Sequence, residues 1–312
     1  MLRIFAVAFG LVWGSFLNVV IYRVPRGMSV SRPASHCPAC GRPIRAWNNI
    51  PVVSFLLMRG RARCCGARVS WRYPAVEVLG GVLSWAVLEV IVFGLAQRTP
   101  WYHALAVYGA SFALALGLVA AAFIDLEHMI VPDSVSLGGT VLGLATFSLR
   151  DMRFLDCALG ALVGFVVVWL PFDFLYKRVR GKAGMGLGDA KLLMLAGAWF
   201  GWSGALLVLG AGAVQGSLAT LAVLMVRGKL EEPEAVRAER AALHAELETL
   251  TGEDQREERE ALLRELAEDP LGDEPESGAG RARVAFGPFL ILATLELLLL
   301  GRERVLGWLS GE

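Results

Sequence analysis

The chain has 312 residues, 55% of them hydrophobic and only 19% charged, whereas about a quarter of the residues in a soluble domain are charged. That balance, with a mean hydropathy of +0.54, excludes an ordinary soluble domain, while a net charge of +1 hides a large internal asymmetry and says little about partners, of which nucleic acid is not an expected one. The few charges sit in a few segments, which puts the apolar runs in lipid and the charge in the loops.

A helix needs about 20 apolar residues to cross the hydrocarbon core. Eight segments are candidates: 2–22, 75–97, 101–124, 134–149, 157–176, 189–201, 203–226 and 284–301. The first carries only Arg3 ahead of it and lacks a small-x-small cleavage site, so it reads as a retained span. The sixth is short and rich in glycine, as a partial span beside a polar cavity would be.

Segment 23–74 follows, with ten Arg and no Lys, Asp or Glu. The bias of basic loops puts it in the cytoplasm. Counting onward, the loops near 125–133, 177–188 and 227–283 fall on the same side, and 177–188 carries Lys177, Arg178, Arg180 and Lys182. Ten arginines at a membrane also suit anionic lipid headgroups or an acidic part of a substrate. Four cysteines share the segment: Cys37, Cys40, Cys64 and Cys65. Their clustering suits a metal in a reducing compartment better than disulfides. Cys37-Pro38-Ala39-Cys40-Gly41 has the form of half a zinc knuckle, with His36 as a substitute ligand. A folded basic loop with free thiols is the other reading. Cys157, alone at the start of an apolar run, reads as a packing residue.

Segment 229–280 differs, with 17 acidic against six basic side chains. From Glu234 to Ala267 it has the composition of a charged helix. Thr251 and Gly252 are expected to break it into a hairpin, and an acidic linker runs from Asp269 to Gly280. A solvated hairpin and a docking surface both fit.

The expected fold is therefore an all-α polytopic membrane protein of about eight transmembrane helices. Its parts are a first helix (1–22), a cytoplasmic basic Cys-containing segment (23–74), a transmembrane core (75–228), a cytoplasmic charged helical insert (229–283), and a last helix with its tail (284–312).

Ionisable groups at the membrane boundary are costly, so each one marks a functional candidate. Asp125 ends the third apolar run and Asp189 opens the sixth, 64 residues later. The topology sets both at the cytoplasmic surface. Two facing carboxylates share a proton, so one can take a proton from water while the other donates to the scissile amide. The glycines Gly184, Gly186 and Gly188 would let an extended peptide approach the backbone. Asp189 also suits a helix cap, and for Asp133, after Pro132, the N-cap is the expected role. Glu127 and His128 read as loop residues. From chemistry alone, a protease pair and a cation- or proton-translocating pair in a transporter or channel both stand.

Resemblance decides between them. Gly186-Leu187-Gly188-Asp189-Ala190-Lys191-Leu192 is similar to the GxGDxKL pattern of the type IV prepilin peptidases, a subgroup of the GxGD intramembrane aspartyl proteases. Ile124-Asp125-Leu126 with Val131-Pro132-Asp133 resembles their first aspartate motif. Three further stretches agree: Gly14 to Arg23 at the start, Ser70-Trp71-Arg72-Tyr73-Pro74 with Glu77, and Phe286-Gly287-Pro288-Phe289. The resemblance implies that Asp125 and Asp189 are catalytic and that proteolysis needs no cofactor. The substrates it implies are type IV prepilins and pseudopilins, cut after the glycine that ends a short basic leader. It also implies a location in the bacterial inner membrane, with the site at the cytoplasmic face. A second activity follows by resemblance alone: methylation of the new amino terminus with S-adenosylmethionine. No glycine signature marks a site for that cofactor. The family's second CxxC would require Cys at position 62, which is Ala62. Cys65 aligns with its second ligand and Cys64 is displaced beside it, so a zinc site from Cys37, Cys40, Cys64 and Cys65 has to use adjacent cysteines.

Overall fold

The computed structural model describes residues 1–180, 186–228, 234–249, 259–260, 262–263, 285–301, 304–305 and 307. Among these the chain is helical and without extended strands. Helix α1 spans Leu2–Arg23 and the short α2 spans Val53–Leu57. Helix α3 (Arg72–Ala86) widens into a π-helical end at Val87–Val92. Pro100 precedes α4 (Trp101–His128), which stops where Met129 turns left-handed at φ 54°. Pro132 likewise precedes α5 (Asp133–Ala145). Helix α6 (Phe154–Val168) loosens over Trp169–Leu175, around Pro171, before α7 (Tyr176–Arg180). A proline cannot donate to the helix ladder, which accounts for the widened turn. Then come α8 (Leu187–Arg227), α9 (Glu234–Thr249) and α10 (Gly287–Leu300).

Each of the eight apolar segments is thus mainly helical over its described residues. Among the described residues five helices are long and apolar enough to cross a membrane: Leu2–Arg26, Arg72–Val92, Trp101–His128, Phe154–Val179 and Leu187–Val226. The last is interrupted at Gly201 (φ 75°, ψ 179°), a conformation open to glycine, so the sixth and seventh apolar segments are two helical pieces in direct succession. The piece before Gly201 is half a span, and its first turn carries Asp189.

The core centres on α4 and this half-helix. Leu118, Ile124, Leu193, Leu195 and Trp199 are fully buried there, with Leu290 and Ile291 of α10 packed against them. In lipid no hydrophobic force drives helices together, so close backbone approach through small residues takes its place. The α6–α8 contact works this way. A Cβ at Gly160 would strike the carbonyl of Gly197, and one at Gly197 would strike that of Gly160.

Breaking a helix inside the bundle frees carbonyls that must find other donors. Arg150 supplies them. Its guanidinium donates to the carbonyls of Trp199, Ala198 and Gly143 and lies 4.5 Å over the Trp199 ring. Arg150→Met leaves these acceptors bare and is expected to cost about 2 kcal/mol or more, read as a lowered melting temperature in detergent. An unchanged melting temperature would show that the freed carbonyls are satisfied in another way.

Helix α9 begins at Glu234, as the composition suggested, and lies against α4. The expected hairpin break at Thr251-Gly252, the linker from Asp269 to Gly280, and the loop residues Lys182 and Gly184 lie outside the described residues.

Candidate active site

Asp125 sits in the last turn of α4 and is 5% exposed. Asp189 is the third residue of α8, half-buried, with its backbone N–H bonded to Gly186 O at 3.1 Å. Gly186 holds the N-cap position, so Asp189 lies in the first turn without capping the helix. There its negative charge faces the positive end of the helix dipole. Although 64 residues apart in sequence, Asp125 and the turn that carries Asp189 both pack around Gly287. Among the described residues neither carboxylate is paired with a cation.

Three contacts bring the two motifs together. Gly287, the first residue of α10, abuts the carboxylate of Asp125 on one side. On the other, a Cβ built on it would lie 3.5 Å from Leu192, three residues after Asp189 on the same helix face. A Cβ at Gly188 would come within 3.0 Å of Val131, in the turn after α4. Lys191 Nζ donates to Asp133 Oδ1 at 2.6 Å. This corrects the expectation for Asp133. Pro132 holds the N-cap, Asp133 lies in the first turn of α5, and its side chain makes an ion pair across 58 residues where a cap was expected. Glu127, taken for a loop residue, is also engaged, pairing with Arg72 at the start of α3. One signal pointed to these ions: Lys191, Asp133 and Glu127 all stand at ends of apolar runs, where a charge needs a partner.

The cysteine segment folds as two matched knuckles. In one, Cys37 N–H donates to Arg42 O and Gly41 N–H to Cys37 O, both at 2.8 Å. In the other, Ala62 N–H donates to Ala67 O at 2.8 Å and Gly66 N–H to Ala62 O at 2.7 Å. Ala62 therefore occupies the place that Cys37 has in the first knuckle, and Cys65 the place of Cys40. Cys64 makes up the deficit. The four sulfurs lie within 4.8 Å of one another, with Cys37–Cys65 at 3.7 Å, Cys40–Cys64 at 3.4 Å and Cys64–Cys65 at 3.9 Å. Thiolates bound tetrahedrally to zinc at about 2.3 Å stand about 3.8 Å apart, so this donor set fits the ion despite the adjacent pair. His36 is not part of the cluster. Its Nδ1 lies 3.2 Å from Ala34 O. Burial pushes the Cys37 thiol up, but hydrogen bonds from the Ala39 and Cys40 backbone and the Cys64 and Cys65 thiols bring it down to about 7. The hydrogen bond with Cys40, then burial, pushes Cys64 up to about 12.

Comparison with known proteins matches residues 8–91 to the bacterial peptidase A24 N-terminal domain and residues 112–221 to the type IV leader peptidase family. A prepilin leader peptidase/N-methyltransferase of Myxococcus xanthus is 35% identical over 322 residues, covering 98% of this chain and 91% of the relative. The chain belongs to the type IV leader peptidase family. Proteins of the same name from Stutzerimonas stutzeri and Neisseria gonorrhoeae are 39% and 36% identical, over 63% and 72% of this chain and 72% and 83% of their own lengths. No solved structure matches. Within this family member, the match to the N-terminal domain takes in both knuckles, and the leader peptidase match takes in both aspartates.

Proposed function

We propose that this chain is a membrane aspartyl endopeptidase that removes the leader of type IV prepilins and pseudopilins, then methylates the new amino terminus. The observation that supports this reading is the packing of Gly287 between the Asp125 carboxylate and Leu192, one turn after Asp189, which sets the two aspartate motifs side by side at the mouth of a half-span. Such a pair hydrolyses an amide without a metal or a covalent intermediate. The ionised carboxylate takes a proton from water as it attacks the scissile carbonyl, and the protonated one donates to the departing amine. The two exchange roles with each turnover. Asp133 and Lys191 fix the α5 and α8 ends around the pair, and Arg72 with Glu127 fixes the end of α4.

A transporter or channel using the same aspartates is the weaker reading, because it predicts charges near mid-membrane and an internal repeat. The ten arginines of 23–74 orient that segment to the cytoplasm, so the site faces the cytoplasmic side of the inner membrane. The substrate's apolar helix lies in the bilayer and presents the leader junction at that face. Cys37, Cys40, Cys64 and Cys65 hold zinc, which ties the two knuckles together. S-adenosylmethionine supplies the methyl group.

The reading is tested with purified protein in liposomes and a prepilin-type substrate followed by mass spectrometry. Loss of the leader after its final glycine, followed by gain of one methyl group, is expected. An intact substrate would overturn the assignment.

Zinc has its own test. Cys64→Ala alone is expected to lose the metal, measured as zinc per protein by mass spectrometry. Adding Ala62→Cys to it restores a ligand at the place matched to Cys37, and zinc should return to wild-type content. Full zinc in the single variant would remove Cys64 from the ligand set.

A further inference from the structure

Between the inner ends of α1 and α3 and the knuckle segment lies a cavity of about 400 Å³, within the size range of small-molecule pockets. Its walls are mostly apolar, with Ile50, Phe55 and Met58 among them, and its polar groups are not placed at random. At the buried end stand two acceptors, Asn18 and Glu77, which are 3% and 9% exposed. Asn18 Nδ2 donates to Tyr73 O at 3.0 Å and to Gly14 O at 3.4 Å. Its buried Oδ1 has no partner among the described residues. Glu77 accepts from Val52 N–H at 2.6 Å through Oε2, and among the described residues its Oε1 accepts no hydrogen bond. An unfilled acceptor in a buried site costs free energy unless something donates to it. The other charged groups on the wall are arginines. Arg23 is buried and committed to the carbonyls of Ser29 and Pro33, while Arg61, Arg63 and Arg68 are exposed. The cavity thus offers acceptors and one negative charge at depth, apolar faces between, and guanidinium groups outside. That order suits a molecule with a cationic, donor-bearing body and a carboxylate.

We propose that this cavity seats the methyl donor, an adenosyl sulfonium amino acid, with Glu77 facing its positive charge and Asn18 Oδ1 accepting from its N–H or O–H groups. The inference rests on the methyl-transfer reading above and gives that activity a place. When bound, S-adenosylmethionine supplies a methyl group on a positive sulfur: the new amino terminus bonds to that carbon through its lone pair, the S–C electrons stay on a neutral thioether, and the nitrogen's surplus proton passes to water. The knuckles form part of the wall, since Cys37 and Cys64 both line the cavity, so a zinc ion there would hold the site's shape without touching the reaction. One dipeptide links the two sites. Tyr73 holds Asn18 through its carbonyl, and its neighbour Arg72 pairs with Glu127, two residues from Asp125.

Calorimetric binding by the purified full-length protein in detergent tests the proposal. The two probes are S-adenosylmethionine and S-adenosylhomocysteine, which lacks the methyl group and the sulfonium charge. Glu77→Gln keeps an acceptor for Val52 N–H and removes only the charge. It is expected to weaken S-adenosylmethionine about tenfold and S-adenosylhomocysteine less than twofold. Met58→Trp fills the cavity and removes no polar group, so it should weaken both at least tenfold. Wild-type affinities in both variants, in a protein that methylates its substrate, would put the donor elsewhere and leave the proposed function standing. An equal loss for both probes in Glu77→Gln would overturn the role of its charge. Wild-type protein that neither binds the donor nor transfers a methyl group would overturn the methyl-transfer reading itself.

Discussion

Asp125→Asn and Asp189→Asn are each expected to lower the rate of leader cleavage by about a thousandfold or more. Asparagine has nearly the same shape as aspartate, but its amide neither accepts nor donates the proton that each half of the reaction moves. The change is chemically narrow. Among the described residues neither carboxylate makes a hydrogen bond or ion pair that supports the fold, so insertion and thermal stability should stay near wild type. An assay of methyl transfer to a substrate already carrying a free amino terminus separates chemistry from folding. Both variants should methylate that substrate within twofold of wild type, because neither aspartate lines the cavity assigned to the donor. Initial rates of cleavage measured beside this control decide the matter. Cleavage above a tenth of the wild-type rate in either variant would remove that aspartate from the reaction.

How far the sequence exposed this site depends on which forces act locally. The apolar runs and the aspartates that bound them were readable because a membrane makes every misplaced charge costly. Ala62 was visible as a gap in the cysteine pattern, yet only the backbone hydrogen bonds of the two knuckles show that it stands where Cys37 stands in the first. Asp133 misled for a physical reason. A carboxylate after proline at a helix start suits an N-cap locally, but Lys191, 58 residues away, offers a full charge in its place. Arg150 carried no signal at all, since its task is created by the break at Gly201 and by helices that meet only in the folded chain. The role of Gly287 was hidden too. Its motif was recognisable, but its closeness to Asp125 depends on α10 packing against α4.

That closeness yields the second large effect. An added methyl group at Gly287 would fall on Oδ2 of Asp125, inside contact distance, and 3.5 Å from Leu192 Cδ1. The helix cannot retreat cheaply, because Leu290 and Ile291 of α10 are buried with almost no exposure. Asp125 is the softer partner and is expected to turn away by about 1 Å, a displacement that costs about a hundredfold in rate when it misplaces a reacting group. Gly287→Ala should therefore cut about a hundredfold more slowly than wild type. The overpacking itself costs about 1–3 kcal/mol, seen as a modest fall in melting temperature. Gly109→Ala, on the helix α4 that carries Asp125, is the control, since a Cβ there meets nothing within 4 Å, and it should cut within twofold of wild type. Wild-type cleavage by Gly287→Ala would show that α10 does not fix Asp125, and the carboxylate would have to be positioned by α4 and α8 alone.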